Sequence, residues 1–402
     1  ISPVFGIMEQ QTGAGGWNSR MKMPMPKPGK LRLWTVQAIA HGADYIGYFR
    51  WRTAHFGTEI YWHGVLDYDN RDNRRLRELC RTTKDVQKMQ EVAGSRYEAQ
   101  AAILYDYESE WDGEADIWHG ELRGKSVDAW FCALQKAHIP FDYVKMSDEM
   151  DAEALAKYRY LIYPHATIFS IERMEILREA VKQGAQIIFG CRSGYKDENG
   201  RCTPIPMPGH ITELTGCMVE EYTTVSPFDA PVQIRMTGGA QRGADQPETG
   251  SGENSQTAPA VEFHDVLETT DGEVMGVLEG EGCHYAGKPA VVRKKTGSGA
   301  GWYVGAGFDE ALAALLIRST GMTDATPYRG FIEVPECVEM ALRRKGGNDY
   351  LFLLNYEEQE QKITVNGGDT YQFQEVLTGS ECEGEISLAG NDFCLLKINR
   401  HQ

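Results

Sequence analysis

No run of roughly 18 or more apolar residues occurs in this sequence, so no transmembrane helix is expected. A basic excess is missing too, because 41 Lys and Arg face 58 Asp and Glu for a net charge of −17. Nucleic acids and anionic membrane surfaces both require a basic footprint, so neither is an expected partner. The acidic surplus reads as a soluble surface and does not point to an acidic substrate. The cysteines Cys80, Cys132, Cys191, Cys202, Cys217, Cys283, Cys337, Cys382 and Cys394 are scattered, odd in number and never in C-x-x-C spacing. That pattern predicts reduced thiols in a cytoplasmic protein, with neither a zinc site nor a disulfide framework. The opening residues, Ile1 to Met8, lack a basic leader and a small-residue cleavage site, which excludes a signal peptide there. They also lack an initiator Met, and the reading is that the native N-terminus lies upstream.

What is present is enough chain for two or three domains with ordinary cores, at 402 residues and 42% hydrophobic. Residues 1–93 form the first segment. Val4 to Met8 reads as a buried strand. A polar, Gly- and Pro-rich loop follows from Gln10 to Gly29, then a helix from Lys30 to Ala40 with Leu31, Trp34 and Ala38 on one face. Asp44 to Trp51 is a second strand, and Arg74 to Val92 a charged helix. This βαβα order suits an α/β barrel. A (β/α)8 barrel needs about 200 or more residues, so two units cannot close one. The expectation is a truncated C-terminal end of a (β/α)8 barrel, entered at residue 1.

Residues 94–325 alternate strand and helix. Strands are predicted at Ala99 to Tyr105, Phe141 to Val144, Tyr160 to Tyr163, Gln186 to Phe189 and Gly299 to Gly307. Helices are predicted at Lys125 to Ala137, Asp151 to Lys157, Ile171 to Gln183, Pro206 to Gly216 and Asp309 to Arg318. That implies a flavodoxin- or amidotransferase-like doubly wound α/β domain. Gly238 to Pro259 is rich in Gly, Ser, Thr, Gln and Ala and reads as a flexible surface insertion. Residues 326–402 hold short alternating segments separated by turns such as Gly346-Gly347-Asn348-Asp349. They predict a small antiparallel β-sandwich.

Glu9 carries the chemistry. A carboxylate directly after a buried strand is unusual, and α/β barrels build their active sites at that end of the strands. Trp17 in the following loop offers a flat apolar face for a sugar ring. The next strand ends in Phe49-Arg50-Trp51-Arg52, and its loop carries Glu59, Tyr61, Trp62 and His63. Each residue alone reads more readily as a solvated or packing residue. Together, carboxylates, an imidazole and aromatics on adjacent strand-end loops suit a carbohydrate.

Five motifs occur in order: M-E-Q-x-x-G-x-x-x-W (Met8 to Trp17), P-G-K-x-R-L-W (Pro28 to Trp34), Q-A-I-A-H-G-A-D (Gln37 to Asp44), Y-F-R-W-R (Tyr48 to Arg52) and G-T-E-I-Y-W-H-G (Gly57 to Gly64). The set resembles family 42 glycoside hydrolases, the β-galactosidases. Weaker similarity continues at Arg192 to Asn199, Gly287 to Ala290 and Tyr350 to Tyr356. The resemblance implies a retaining β-galactosidase with Glu9 as nucleophile and with Trp17, Glu59 and His63 binding the substrate, a β-galactoside or galacto-oligosaccharide. It implies an acid/base Glu upstream of residue 1, so the fragment alone is expected to be inactive. No cofactor and no metal are expected in this chain. A homotrimer is implied, built largely through the middle domain. The alternatives are an α-L-arabinopyranosidase of the same family and, for 94–402, a non-enzymatic assembly module. A glutamine-hydrolysing role through Cys191 is set aside, because Gly190-Cys191-Arg192-Ser193-Gly194 lacks the G-x-C-x-G spacing of a nucleophile elbow.

Overall fold

The protein is described by a computed structural model covering residues 4–17, 21–116, 121–226, 228, 230–237 and 256–400. The chain divides into two compact units. Unit 1 joins residues 1–98 to 327–402, and unit 2 is 99–326. Among the described residues no helix is long and apolar enough to cross a membrane.

Unit 1 opens with β1 (Gly6–Gln11), α1 (Lys30–Ala40), β2 (Tyr45–Phe49) and α2 (Arg74–Lys88). The two strands pair in parallel, with Gln10 opposite Tyr48 and Gln11 opposite Phe49. This is the predicted βαβα order, and the fold is that of the C-terminal end of a (β/α)8 barrel. Asn73 caps α2 by accepting the Leu76 N–H at 3.1 Å. That satisfies one of the N–H groups left without an intrahelical partner in the first turn.

The C-terminal part of unit 1 is an antiparallel sandwich of a six-stranded and a three-stranded sheet. Period-two alternation on the Asn348–Asn355 strand divides its side chains between two cores. Leu351 and Leu353 enter the sandwich interior with Phe373 and Leu396. Tyr350, Phe352 and Leu354 face the other way, against Leu33, Val36 and Ala40 of α1. The short strand Arg96–Tyr97 adds to the edge of the same sheet beside Val338–Lys345.

Unit 2 is built on β3 (Ala101–Tyr105), α3 (Tyr107–Ala115), α4 (Leu122–Lys136), β4 (Phe141–Lys145), β5 (Tyr160–Tyr163), α5 (Ile171–Lys182), β6 (Gln186–Phe189), β7 (Gly299–Val304) and α6 (Glu310–Ser319). The parallel strands lie in the order β4-β3-β5-β6-β7. In chain order that is 2-1-3-4-5, the flavodoxin arrangement, with its switch point between β3 and β5. Four antiparallel strands extend the sheet beyond β7. Of the predicted insertion, residues 238–255 lie outside the described residues. Its end, Thr257–Pro259, is an edge strand paired with Gln233–Met236 rather than loop.

Candidate active site

The strand carrying Glu9 starts two residues later and ends three residues later than the sequence predicts. Glu9 therefore lies inside β1, not beyond its end. Its position is special for another reason. The β1–β2 register slips between Ile7 and Gln10, so Met8 and Glu9 together face Gly47. Such a bulge bends the strand locally and re-aims a side chain. Glu9 is exposed, and its carboxylate has no hydrogen-bond or ion-pair partner among the described residues.

The loops after β1 and β2 are tied to each other. The buried Thr12 hydroxyl donates to the Phe49 carbonyl at 2.8 Å. The His63 N–H donates to the Ala14 carbonyl at 2.8 Å. Gly13 makes this approach possible, because a Cβ there would sit 2.4 Å from the His63 carbonyl oxygen. Gly15 lies equally close to the Trp62 ring, where a Cβ would sit at 2.3 Å. Trp17 ends the strand Gly15–Trp17, which pairs with Met21–Met23. Its side chain lies outside the described residues.

Glu59 and His63 sit on the β2 loop, each held by a partner. Arg50 donates from Nη1 to Glu59 Oε2 at 2.9 Å and from Nη2 to the Glu59 carbonyl at 2.8 Å. This two-point grip fixes both the side chain and its backbone. His63 Nδ1 lies 2.9 Å from Asp67 Oδ1. Asp67 Oδ2 pairs with Arg75 at 2.8 Å. Burial alone would raise the Asp67 pKa, but the hydrogen bonds from Arg75 and His63 outweigh it and hold the carboxyl below its ordinary value. An ionised carboxylate only accepts, so Nδ1 is the donor and Nε2 of a neutral ring keeps its lone pair. Arg75 also donates to the Gly64 carbonyl at 3.1 Å, which anchors the loop.

The structure thus brings Glu59 and His63 onto one loop and binds that loop to the one following Glu9. No hydrogen bond links Glu9 to either residue among the described residues. Arg50 and Asp67 have supporting roles that the sequence reading did not assign. Only the i, i+4 spacing of His63 and Asp67 hinted at one of them.

Unit 2 contains an elbow after β6. Its apex in the left-handed conformation is Arg192, with φ 60°, not Cys191. Cys191 is fully buried, and burial pushes its thiol well up. His165 Nδ1 is 2.7 Å from the Cys191 carbonyl, and Nε2 is 2.8 Å from the Ser126 hydroxyl. Cys191 is therefore not available as a nucleophile, and the His165 ring is held by contacts of both its nitrogens.

A family profile described as the β-galactosidase trimerisation domain matches residues 99–324, more than half of the chain. Profiles for the β-galactosidase and its C-terminal domain match 2–89 and 337–397. The chain belongs to glycoside hydrolase family 42. Among family 42 relatives, β-galactosidase BgaB of Geobacillus sp. (strain Y412MC61) is 30% identical over 400 residues, covering 98% of this chain and 54% of its own length. β-Galactosidase LacZ of Heyndrickxia coagulans is 27% identical, with 98% of this chain and 55% of that protein covered. The solved β-galactosidase of Bacillus circulans sp. alkalophilus superposes with a TM-score of 0.83 at 26% identity, covering 98% of this chain and 55% of that one. The chain spans about half the length of the curated relatives it matches.

Proposed function

We propose that this chain carries the nucleophile and the sugar-binding loop of a retaining β-galactosidase. The observation that carries the reading is the bulge that turns the unpartnered Glu9 carboxylate out of β1, with Glu59 and His63 held on the neighbouring loop. In the first step a Glu9 oxygen attacks the anomeric carbon of a terminal β-galactoside. The bond to the leaving oxygen breaks, and a covalent galactosyl-enzyme forms. Water then displaces Glu9 and restores the free carboxylate. Glu59 and the Nε2 of His63 are both acceptors and receive galactose hydroxyl hydrogens, including that of the axial O4. A glucoside would leave one acceptor without a donor.

Retention needs a second carboxyl group about 5–5.5 Å from the first, to protonate the leaving oxygen and then to activate water. Arg50 already holds Glu59. We place the acid outside residues 1–402 and expect this chain alone to be inactive. The chemistry requires no organic cofactor. Assembly is proposed to be a trimer through residues 99–324, since the profile matching them is described as a trimerisation domain.

The test uses the full-length enzyme and a 2-deoxy-2-fluoro-β-galactoside, which slows the second step. Mass spectrometry of the peptic digest should find the sugar on the peptide containing Glu9, and Glu9→Gln should abolish labelling. A label on Glu59, or undiminished turnover by Glu9→Gln, would overturn the assignment.

A further inference from the structure

At the switch point of unit 2 lies a cavity of about 870 Å³, lined by the end of β3, by His165 and Thr167 just after β5, and by residues of α3 and α4. That crevice is where open α/β sheets bind ligands. Its volume falls within the usual range for small-molecule sites. The residues already assigned to sugar chemistry are all in unit 1, so none of them explains it.

Two glycines mark the wall. Gly113 lies in the last turn of α3 and Gly124 in the first turn of α4, and both line the cavity. Neither has a positive φ. A Cβ at either position would meet no atom of the described residues within 4 Å. A glycine in a helix weakens it relative to alanine, and among the described residues neither backbone strain nor packing requires one. Both sacrifices open the same cavity, which points to close approach by something that enters it.

The wall chemistry selects the ligand class. Carboxylates of Glu110, Glu114, Asp116, Glu121 and Asp128 outnumber the guanidinium groups of Arg123 and Arg192. Arg123 offsets Glu110 at 3.6 Å, and Lys196 offsets Asp116 at 3.3 Å. The remaining acids disfavour a phosphate or carboxylate ligand. The Arg192 guanidinium on the same wall disfavours a cation. Acceptors and donors mixed with the rings of Tyr105 and Tyr143 suit hydroxyl groups and the C–H face of a sugar. The Thr167 hydroxyl, on the same wall, has no partner among the described residues.

We propose that this cavity binds a small neutral polyhydroxylated ligand, a mono- or disaccharide, through unit-2 residues alone. The proposal does not rest on the assignment of Glu9. The test titrates D-galactose and lactose into the full-length enzyme carrying Glu9→Gln and Glu59→Gln, using calorimetry and saturation-transfer NMR. Inorganic phosphate and putrescine serve as the anionic and cationic probes. Saturable binding of a sugar, weakened about tenfold or more by Gly113→Ala or Gly124→Ala, is the expected result, since one methyl in a close contact suffices for such discrimination. The melting temperature of each alanine variant should hold or rise, which separates lost binding from lost folding. Thr167→Val should weaken the sugar without unfolding the chain. The inference is overturned if no sugar saturates, if the alanine variants bind like the parent, or if phosphate or putrescine binds better. It is also overturned if the alanines alter oligomer mass and leave affinity unchanged, because the glycines would then serve an interface.

Discussion

Gly47 lies opposite the bulged pair containing Glu9, and a Cβ at position 47 would sit 2.6 Å from the Met8 carbonyl oxygen. No real Cβ tolerates that distance, so the strand must straighten or shift if a side chain is added. The absence of one atom on β2 thereby sets the direction of a carboxylate on β1.

Gly47→Ala should therefore damage catalysis more than stability. A misplacement on the order of 1 Å at a reacting group costs roughly 10²-fold in rate. Overpacking of this kind costs about 1–3 kcal/mol of stability. Steady-state kinetics of the full-length variant should show kcat falling by about that factor, with KM changed far less. A variant that unfolds outright, or one with unchanged kcat, would show that the bulge does not aim Glu9.

Arg50 should act on substrate affinity. Arg50→Lys keeps the charge but loses the fork that grips Glu59 at two points. A hydrogen bond to a charged group is worth about 1.5–3 kcal/mol, so KM should rise roughly ten- to a hundredfold. Normal KM with low kcat would instead place Glu59 in the chemical step.

Asp349 offers a pH test in the sandwich. Burial would raise its pKa, but Arg344 at 2.6 and 2.8 Å and the Tyr328 hydroxyl at 2.5 Å win and lower it. The folded state then binds fewer protons than the unfolded state. Its contribution is present above the unfolded value of about 3.9 and is lost as pH falls through the lower folded value. Urea melts from pH 6 downward, at points on the order of half a unit apart, should show a steeper acid loss for the parent than for Asp349→Asn. Parallel slopes would contradict the pairing.

Cys191 should resist alkylation. Its side chain is fully buried and its thiol is held well above the ordinary range, whereas Cys80, Cys132 and Cys202 are exposed. Iodoacetamide should label exposed thiols while Cys191 stays intact until denaturant is added. Early labelling of Cys191 would mean that the elbow opens.

Much of this architecture was legible in the sequence, because hydrophobic period reports burial. The Lys30–Ala40 helix and the Tyr160–Tyr163 and Gln186–Phe189 strands were read to the residue. α3 was missed because Tyr107 to Ala115 has no apolar stripe, only acids around two aromatics. The antiparallel strands between Cys217 and Thr296 were missed because their order in the sheet depends on partners distant in sequence. Among the site residues, Glu9, Glu59 and His63 stood out by type, whereas Arg50 and Asp67 did not. Their importance lies in the atoms they hold, and no one-dimensional pattern encodes a grip at 2.9 Å. The bulge was invisible for the same reason, since a register slip exists only between two strands.

The short Arg96–Tyr97 strand takes its partners from Arg343 and Arg344, and that sheet is completed only by Asp392–Arg400. On the ribosome those partners emerge only after the whole of residues 99–326. Unit 2 is encoded as one continuous insert and holds all its own strands by residue 326. It has everything needed to mature first. Arg96–Tyr97 must wait for Val338–Lys345, and the α1 face that packs on Tyr350, Phe352 and Leu354 waits with it. A chain interrupted before residue 338 would keep every strand of unit 2 and leave Arg96–Tyr97 without its sheet partner.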